Sequence, residues 1–347
     1  MIRTVLVALL ASSLVPNGLY SQTTIFGGRG LLRTQSAETV GRSNFYLNSF
    51  FSTFLQATPS ASTLGKDHTL TLGLTFGIGP FVEITGLLTP YQDDQKSIWG
   101  PPGDSQLGLK FRTPFSGSTV ITSVMIFAKI PTAKVKNVPF EPYSSGKLGA
   151  GALGIVTFDL TETFPLFPLK AHLNFGYMDH NIRDELFNDI EDQFLIRAGM
   201  KFPIRSTILY TEYSAEVFVD NPIVREYRYN SQRLTQGIKF LGPWDLIVDL
   251  AVDISLSRKP ENPDNVFLKE YADWKIIFGI NYQFFFKKQQ NRYVKKDEDR
   301  ASGSRRRPAL PMEVHERRQR IQEELQRMEK TLKKEKGKES KEKQDDQ

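Results

Sequence analysis

Apolar side chains recur at every second position through long stretches of this chain. In the clearest stretch, 69–78, Leu70, Leu72, Leu74, Phe76 and Ile78 alternate with Thr69, Thr71, Gly73, Thr75 and Gly77. A period of two places the two sets on opposite faces of a β-strand. Gly79-Pro80 turns the chain, and Val82, Ile84, Gly86 and Leu88 resume the apolar face. The pattern returns at 106–112, 120–130, 148–160, 169–177, 194–201, 209–217, 246–256 and 274–284, with weaker members at 44–56 and 232–241. The prediction is an all-β chain of about twelve antiparallel strands.

The connections sharpen this. Tight turns near 79–80, 115–118, 161–167, 203–205 and 242–244 alternate with long polar connections near 57–68, 90–104, 132–146, 180–191, 220–231 and 258–270. Short turns at one end and long loops at the other mark an up-and-down transmembrane barrel. Many strands exceed the five or six residues common in globular sheets and suit the roughly nine to eleven that cross a bilayer. An even strand count puts both ends of a barrel over 44–286 on the short-turn side, the periplasm of a Gram-negative outer membrane. No internal apolar run approaches the ~18 residues of a membrane helix. The 25 Phe and 12 Tyr suit strands and membrane interfaces.

The second face of the strands carries charge. Cations are expected at Lys110, Arg112, Lys129, Lys170, Arg197, Lys201, Arg233, Lys239 and Lys275, and anions at Glu83, Asp159, Glu212, Glu216, Asp249 and Asp253, with His172 beside them. Such groups are costly against lipid, so they line the lumen. Two readings stay open. The set borders an aqueous pore for small solutes, or the charges pair across a narrow interior and close it.

Composition excludes several chemistries. Cysteine is absent, so disulfides, thiolate metal sites and thiol nucleophiles are absent too. The four histidines fall at His68, His172, His180 and His315, with no metal-binding spacing. No Ser–His–acid grouping stands out, so neither an enzyme nor a cofactor is expected. At the N-terminus, Arg3, the apolar stretch 5–15 and the breakers Pro16-Asn17-Gly18 predict a signal peptide over 1–21.

The last strand, Gly279-Ile280-Asn281-Tyr282-Gln283-Phe284, resembles the terminal signal of outer-membrane barrels. The resemblance implies that Gly279, Tyr282 and Phe284 are read by the barrel assembly machinery. Here 63 residues follow Phe284; barrels of the OmpA family likewise carry a periplasmic extension. The run Phe26-Gly27-Gly28-Arg29-Gly30-Leu31-Leu32-Arg33, continued by Ser36-Ala37-Glu38, is similar to the start of barrels grouped as OmpA-like or transporter-like. The resemblance names no substrate, and the plainer reading beside it is a glycine-rich periplasmic lead-in over 22–43 that packs into or under the barrel.

Residues 287–347 hold 20 Lys and Arg against 13 Asp and Glu, so the chain's net +6 belongs to this tail. A charged linker is expected over 287–311, a helix with a narrow apolar stripe over 312–336 and a disordered end over 337–347. Export disfavours nucleic acid as its partner. A solvated extension, a short coiled coil, or contact with a periplasmic protein, envelope polymer or lipid head group stay open. The expected function is a non-enzymatic channel or transporter for small solutes in contact with outer-membrane lipid. The alternative is an anchoring barrel with a plugged lumen.

Overall fold

A computed structural model describes residues 22–57, 64–93, 100–114, 119–138, 140–161, 168–184, 189–204, 206–242, 246–260 and 266–285. The expected signal peptide and the three parts of the tail lie outside the described residues. Twelve strands form: β1 (Asn44–Ala57), β2 (Leu64–Gly77), β3 (Val82–Gln92), β4 (Ser105–Arg112), β5 (Val120–Ile130), β6 (Gly149–Asp159), β7 (Lys170–Asp179), β8 (Gln193–Ile204), β9 (Thr207–Phe218), β10 (Ser231–Leu241), β11 (Leu246–Ser255) and β12 (Trp274–Phe285). Each pairs antiparallel with its sequence neighbours, and β1 closes on β12 from Asn44↔Phe285 to Thr53↔Ile276.

The first hairpin differs from the expectation. The residues near 57–68 are not all loop: β1 and β2 stay paired out to Ala57↔Leu64, and His68 lies opposite Thr53. The apolar alternation stops at Thr69 while backbone pairing continues. Ladder hydrogen bonds do not depend on the side chains that generate the pattern.

Alternation maps onto two environments. Along β12, Trp274, Ile276, Phe278, Ile280, Tyr282 and Phe284 face outward and exposed, while Lys275 and Asn281 are buried inside. Leu250, Val252 and Ile254 on β11 flank Asp249 and Asp253 in the same way. This outward apolar belt is the lipid-facing surface of a transmembrane barrel.

Residues 22–40 fold inside the barrel, with Leu31 and Leu32 fully buried. The segment is a knot of turns: Thr24 N–H bonds Gly28 O at 2.9 Å, Ile25 N–H bonds Leu32 O at 2.8 Å, and Ser36 N–H bonds Arg29 O at 2.7 Å. Gly27 and Gly28 have φ of 74° and 76°, a region costly for side-chain-bearing residues. A Cβ on Gly28 would also lie 2.6 Å from the Gln35 amide oxygen. Gly28→Val is therefore expected to unseat the segment. Trypsin cleavage after Arg29 and Arg33 in the detergent-solubilised barrel should accelerate by roughly ten-fold or more; an unchanged rate would refute this account of the turn.

Candidate functional site: the lumen, its inserted segment and the cavity above it

The inner wall grips the inserted segment through side chains. Glu212 accepts from the backbone N–H of Arg33 at 2.8 Å and of Thr34 at 3.0 Å. Asn174 makes two bonds with the backbone of Gln35, at 2.7 and 2.8 Å. Thr157 accepts from Ala37 N–H at 2.8 Å, and Glu83 from Val40 N–H at 2.7 Å. Lys110 donates to the carbonyls of Ser36 and Glu38, both at 2.9 Å. Asp253 holds the Arg33 guanidinium through two bonds, at 2.9 and 2.6 Å. Strand-type bridges of the segment run within it, Thr23↔Arg29 and Gly30↔Gln35. The ladders that close the barrel proceed from strand to strand without it.

The charged positions on the second face thus sort by what they touch. Lys170 pairs with Glu38 of the segment at 2.9 Å and with Asp159 of the wall. Lys201 donates to Gln22 at 3.3 Å and Arg197 to Arg33 O at 3.3 Å. Lys239 joins Leu31 O at 3.2 Å to Asp249 at 2.6 Å. Lys110 also pairs with Glu83. His172 bonds Thr157 at 2.9 Å. Arg233 lies 3.7 Å from Asp253. Lys129 and Lys275 reach instead toward the long loops: Lys129 donates to Tyr143 O at 2.7 Å and lies 3.4 Å from Asp104, and Lys275 pairs with Asp67 and, at 2.7 Å, with Glu141. Arg112 and Glu216 face inward without an ion pair among the described residues. Gly279 sits on the inner face, where a Cβ would meet the Phe50 ring at 2.3 Å. Tyr282 and Phe284 point outward with ring centroids 4.6 Å apart.

The inner wall also has an apolar side that alternation alone did not predict. Met125, Phe127, Leu153, Ile155, Met178 and Leu195, from β5 to β8, form one buried cluster with Ala37 of the segment. The available signal was that 120–130 carries apolar residues on both faces. A strand covered on both sides loses its polar alternation.

Above the inserted segment lies a cavity of about 210 Å³. Ile25, Phe26 and Arg33 of the segment bound it below, and Val138, Glu141 and Tyr143 of the long connection 131–148 border it on the loop side. That connection is packed down: Tyr143 stacks against Phe267 at 5.6 Å and edges onto Phe218 at 5.3 Å and His180 at 5.0 Å. Lys269 ties the connection 256–273 to it, donating to Val138 O at 3.0 Å and Pro142 O at 3.3 Å.

This loop cover carries a titratable group. Burial pushes the Lys269 ammonium down to about 7 from 10.5, with Glu141 opposing the shift. Glu141 itself is held at about 2 against the effect of burial, by the Lys275 charge and hydrogen bonds from Lys275 and Thr69. A released loop keeps the Lys269 proton up to pH 10.5, the packed loop only to about 7. Closure therefore strengthens as pH rises across that window and is weakest below it. Hydrogen-exchange protection at the Val138, Glu141 and Tyr143 amides, corrected for intrinsic chemistry, should increase from about pH 7 to about pH 10. Lys269→Met should flatten that dependence, and a flat wild-type profile would contradict it.

No family model and no curated protein matches the chain. Among solved structures, an outer membrane channel from Pseudomonas putida F1 is similar at a TM-score of 0.52 and 8% identity, covering 72% of this chain and 98% of that one. The KdgM porin gives 0.43 at 6% identity, covering 69% and 99%. The CymD monoaromatic hydrocarbon channel gives 0.38 at 7% identity, covering 72% and 90%. At such identities the likeness concerns the fold alone, and the chain is similar in architecture to the Pseudomonas putida F1 outer membrane channel.

Proposed function

We propose that this chain is an outer-membrane channel for small solutes, closed in the described state by its own residues 22–40, and that it carries out no catalysis. One observation carries the reading. The segment is held by side chains while the wall closes through its own ladder from β1 to β12. Moving the segment therefore breaks no strand pairing. A plug that shared strands with the wall could not leave without opening the barrel.

The reading places both chain ends in the periplasm, with the tail there as the part available to a partner or envelope polymer. It assigns Gly279, Tyr282 and Phe284 to recognition by the assembly machinery, supported by two exposed aromatics at the end of the closing strand. The filled lumen also favours a second reading, a permanently closed anchoring barrel. Planar-bilayer recordings and solute-driven liposome swelling separate the two. Discrete openings and swelling support the channel. Silence in both the wild type and a form lacking the segment would overturn it and leave the anchor.

A further inference from the structure

The cavity has one apolar side and one charged side, and the charged side holds an unpaired cation next to an unpaired anion. In the β8–β9 register Leu195 lies opposite Glu216, and Arg197 opposite Ser214. Arg197 and Glu216 are thus diagonal neighbours on the inner face, with backbones about 7–8 Å apart, within reach of long side chains. They form no ion pair, their charged atoms lying more than 4.0 Å apart. The cause is visible. The inserted segment draws Arg197 aside, with its guanidinium 4.4 Å over the Phe26 ring and donating to Arg33 O at 3.3 Å. Arg33 and Lys275, which also border the cavity, are matched by carboxylates.

Two opposite charges kept apart in a partly desolvated chamber each gain from a complementary group. Leu195 adjoins the pair, and Met125, Phe127, Leu153 and Met178 continue the apolar side. We infer that the cavity binds a small amphipathic zwitterion of the α-amino-acid type. Its carboxylate meets Arg197, its ammonium meets Glu216, and its apolar side chain lies against the β5–β8 wall. A volume of about 210 Å³ suits one such molecule, being below the ~300 Å³ at which pockets begin to hold drug-sized ligands. The inference rests on the channel reading and names the solute class that the closed state holds.

The test is titration calorimetry on the full chain in detergent, with L-phenylalanine, phenylacetate, phenethylamine and toluene as probes. Phenylalanine should bind, and loss of either charged group should weaken binding by roughly ten-fold or more, because a buried protein charge then stays unpaired. Arg197→Gln and Glu216→Gln should each weaken phenylalanine similarly, with heat-modifiable gel migration reporting that the barrel is folded. The probe series on the wild type needs no variant. Toluene binding as tightly as phenylalanine overturns the site as an apolar pocket. Phenylacetate or phenethylamine binding equally overturns the paired-charge recognition, and no binding by any probe overturns the site outright. Binding in detergent does not depend on conductance. Bound phenylalanine with silent bilayers would sink transport alone, and conductance without binding would sink the site alone.

Discussion

Deleting residues 22–40 will convert a mostly closed barrel into a steadily conducting one. The segment is bonded to inward-facing groups of the wall from Glu83 and Lys110 round to Asp253, and its removal leaves the β1–β12 closure intact. The wall is not left with a full set of orphaned charges. Lys110–Glu83, Lys239–Asp249 and Lys170–Asp159 remain paired with each other. Glu212, Asn174 and Thr157 lose protein partners, but water entering the lumen replaces them. Twelve-stranded barrels lie between filled small barrels and open porins, so single-channel conductance should rise by roughly ten-fold or more. Selectivity should shift as well. The deleted stretch carries Arg29 and Arg33 against Glu38. Its loss uncovers Arg197 and Lys201 as well as Asp253 and Glu212, which offset each other, and removes one net positive charge, so the reversal potential should move toward cation preference. Conductance that stays at the wild-type level would show that the pore is closed elsewhere, with the packed connection 131–148 as the first suspect.

Asp253→Asn should be the most damaging single substitution for the closed state, and more damaging than removal of its partner. Asp253 is 1% exposed and serves two cations, Arg33 directly and Arg233 at 3.7 Å. The substitution leaves both guanidinium groups without this counterion, and breaking a buried pair in that way costs about 3–5 kcal/mol. A shift of that size raises the open population by roughly 10²-fold to several thousand-fold. Arg33→Gln is milder because Asp253 keeps Arg233 and the Thr235 hydroxyl, which donates at 2.6 Å. The expected cost there is about 1–2 kcal/mol. The double variant should fall well short of the sum, since the two side chains share one interaction. Open fractions from single-channel records measure all three. Equal effects of the two single substitutions would refute the asymmetry.

Much of this architecture follows from local rules. A strand between lipid and lumen must alternate, and the alternation at 69–78 or 246–256 marks which residues face out. Polar positions in such strands have only the interior to occupy, so Glu83, Lys110, Glu212 and Asp253 are assignable to the lumen one strand at a time. The strict exchange of short and long connections orders the strands. Where alternation stops, as at Lys66–His68, the same rule misplaces a strand end.

What those charges bind is a different kind of fact. Asp253 and Arg33 are 220 positions apart, and Glu212 and Arg33 are 179 apart. No local period relates them, because a side-chain bond across a lumen depends on closure of the whole barrel. Residues 22–40 have no periodicity, only glycines whose positive φ makes the turns, so they leave open whether the segment packs into the barrel or under it. The apolar wall from Met125 to Leu195 is similar: a strand apolar on both faces says it is covered twice, and only the tertiary structure supplies the second cover. The sequence by itself therefore determined a transmembrane barrel with a charged interior, because alternation and turn length are local. The tertiary structure decided that residues 22–40 fill the interior and leave a cavity above them, because those contacts exist only once the β1–β12 seam closes the barrel.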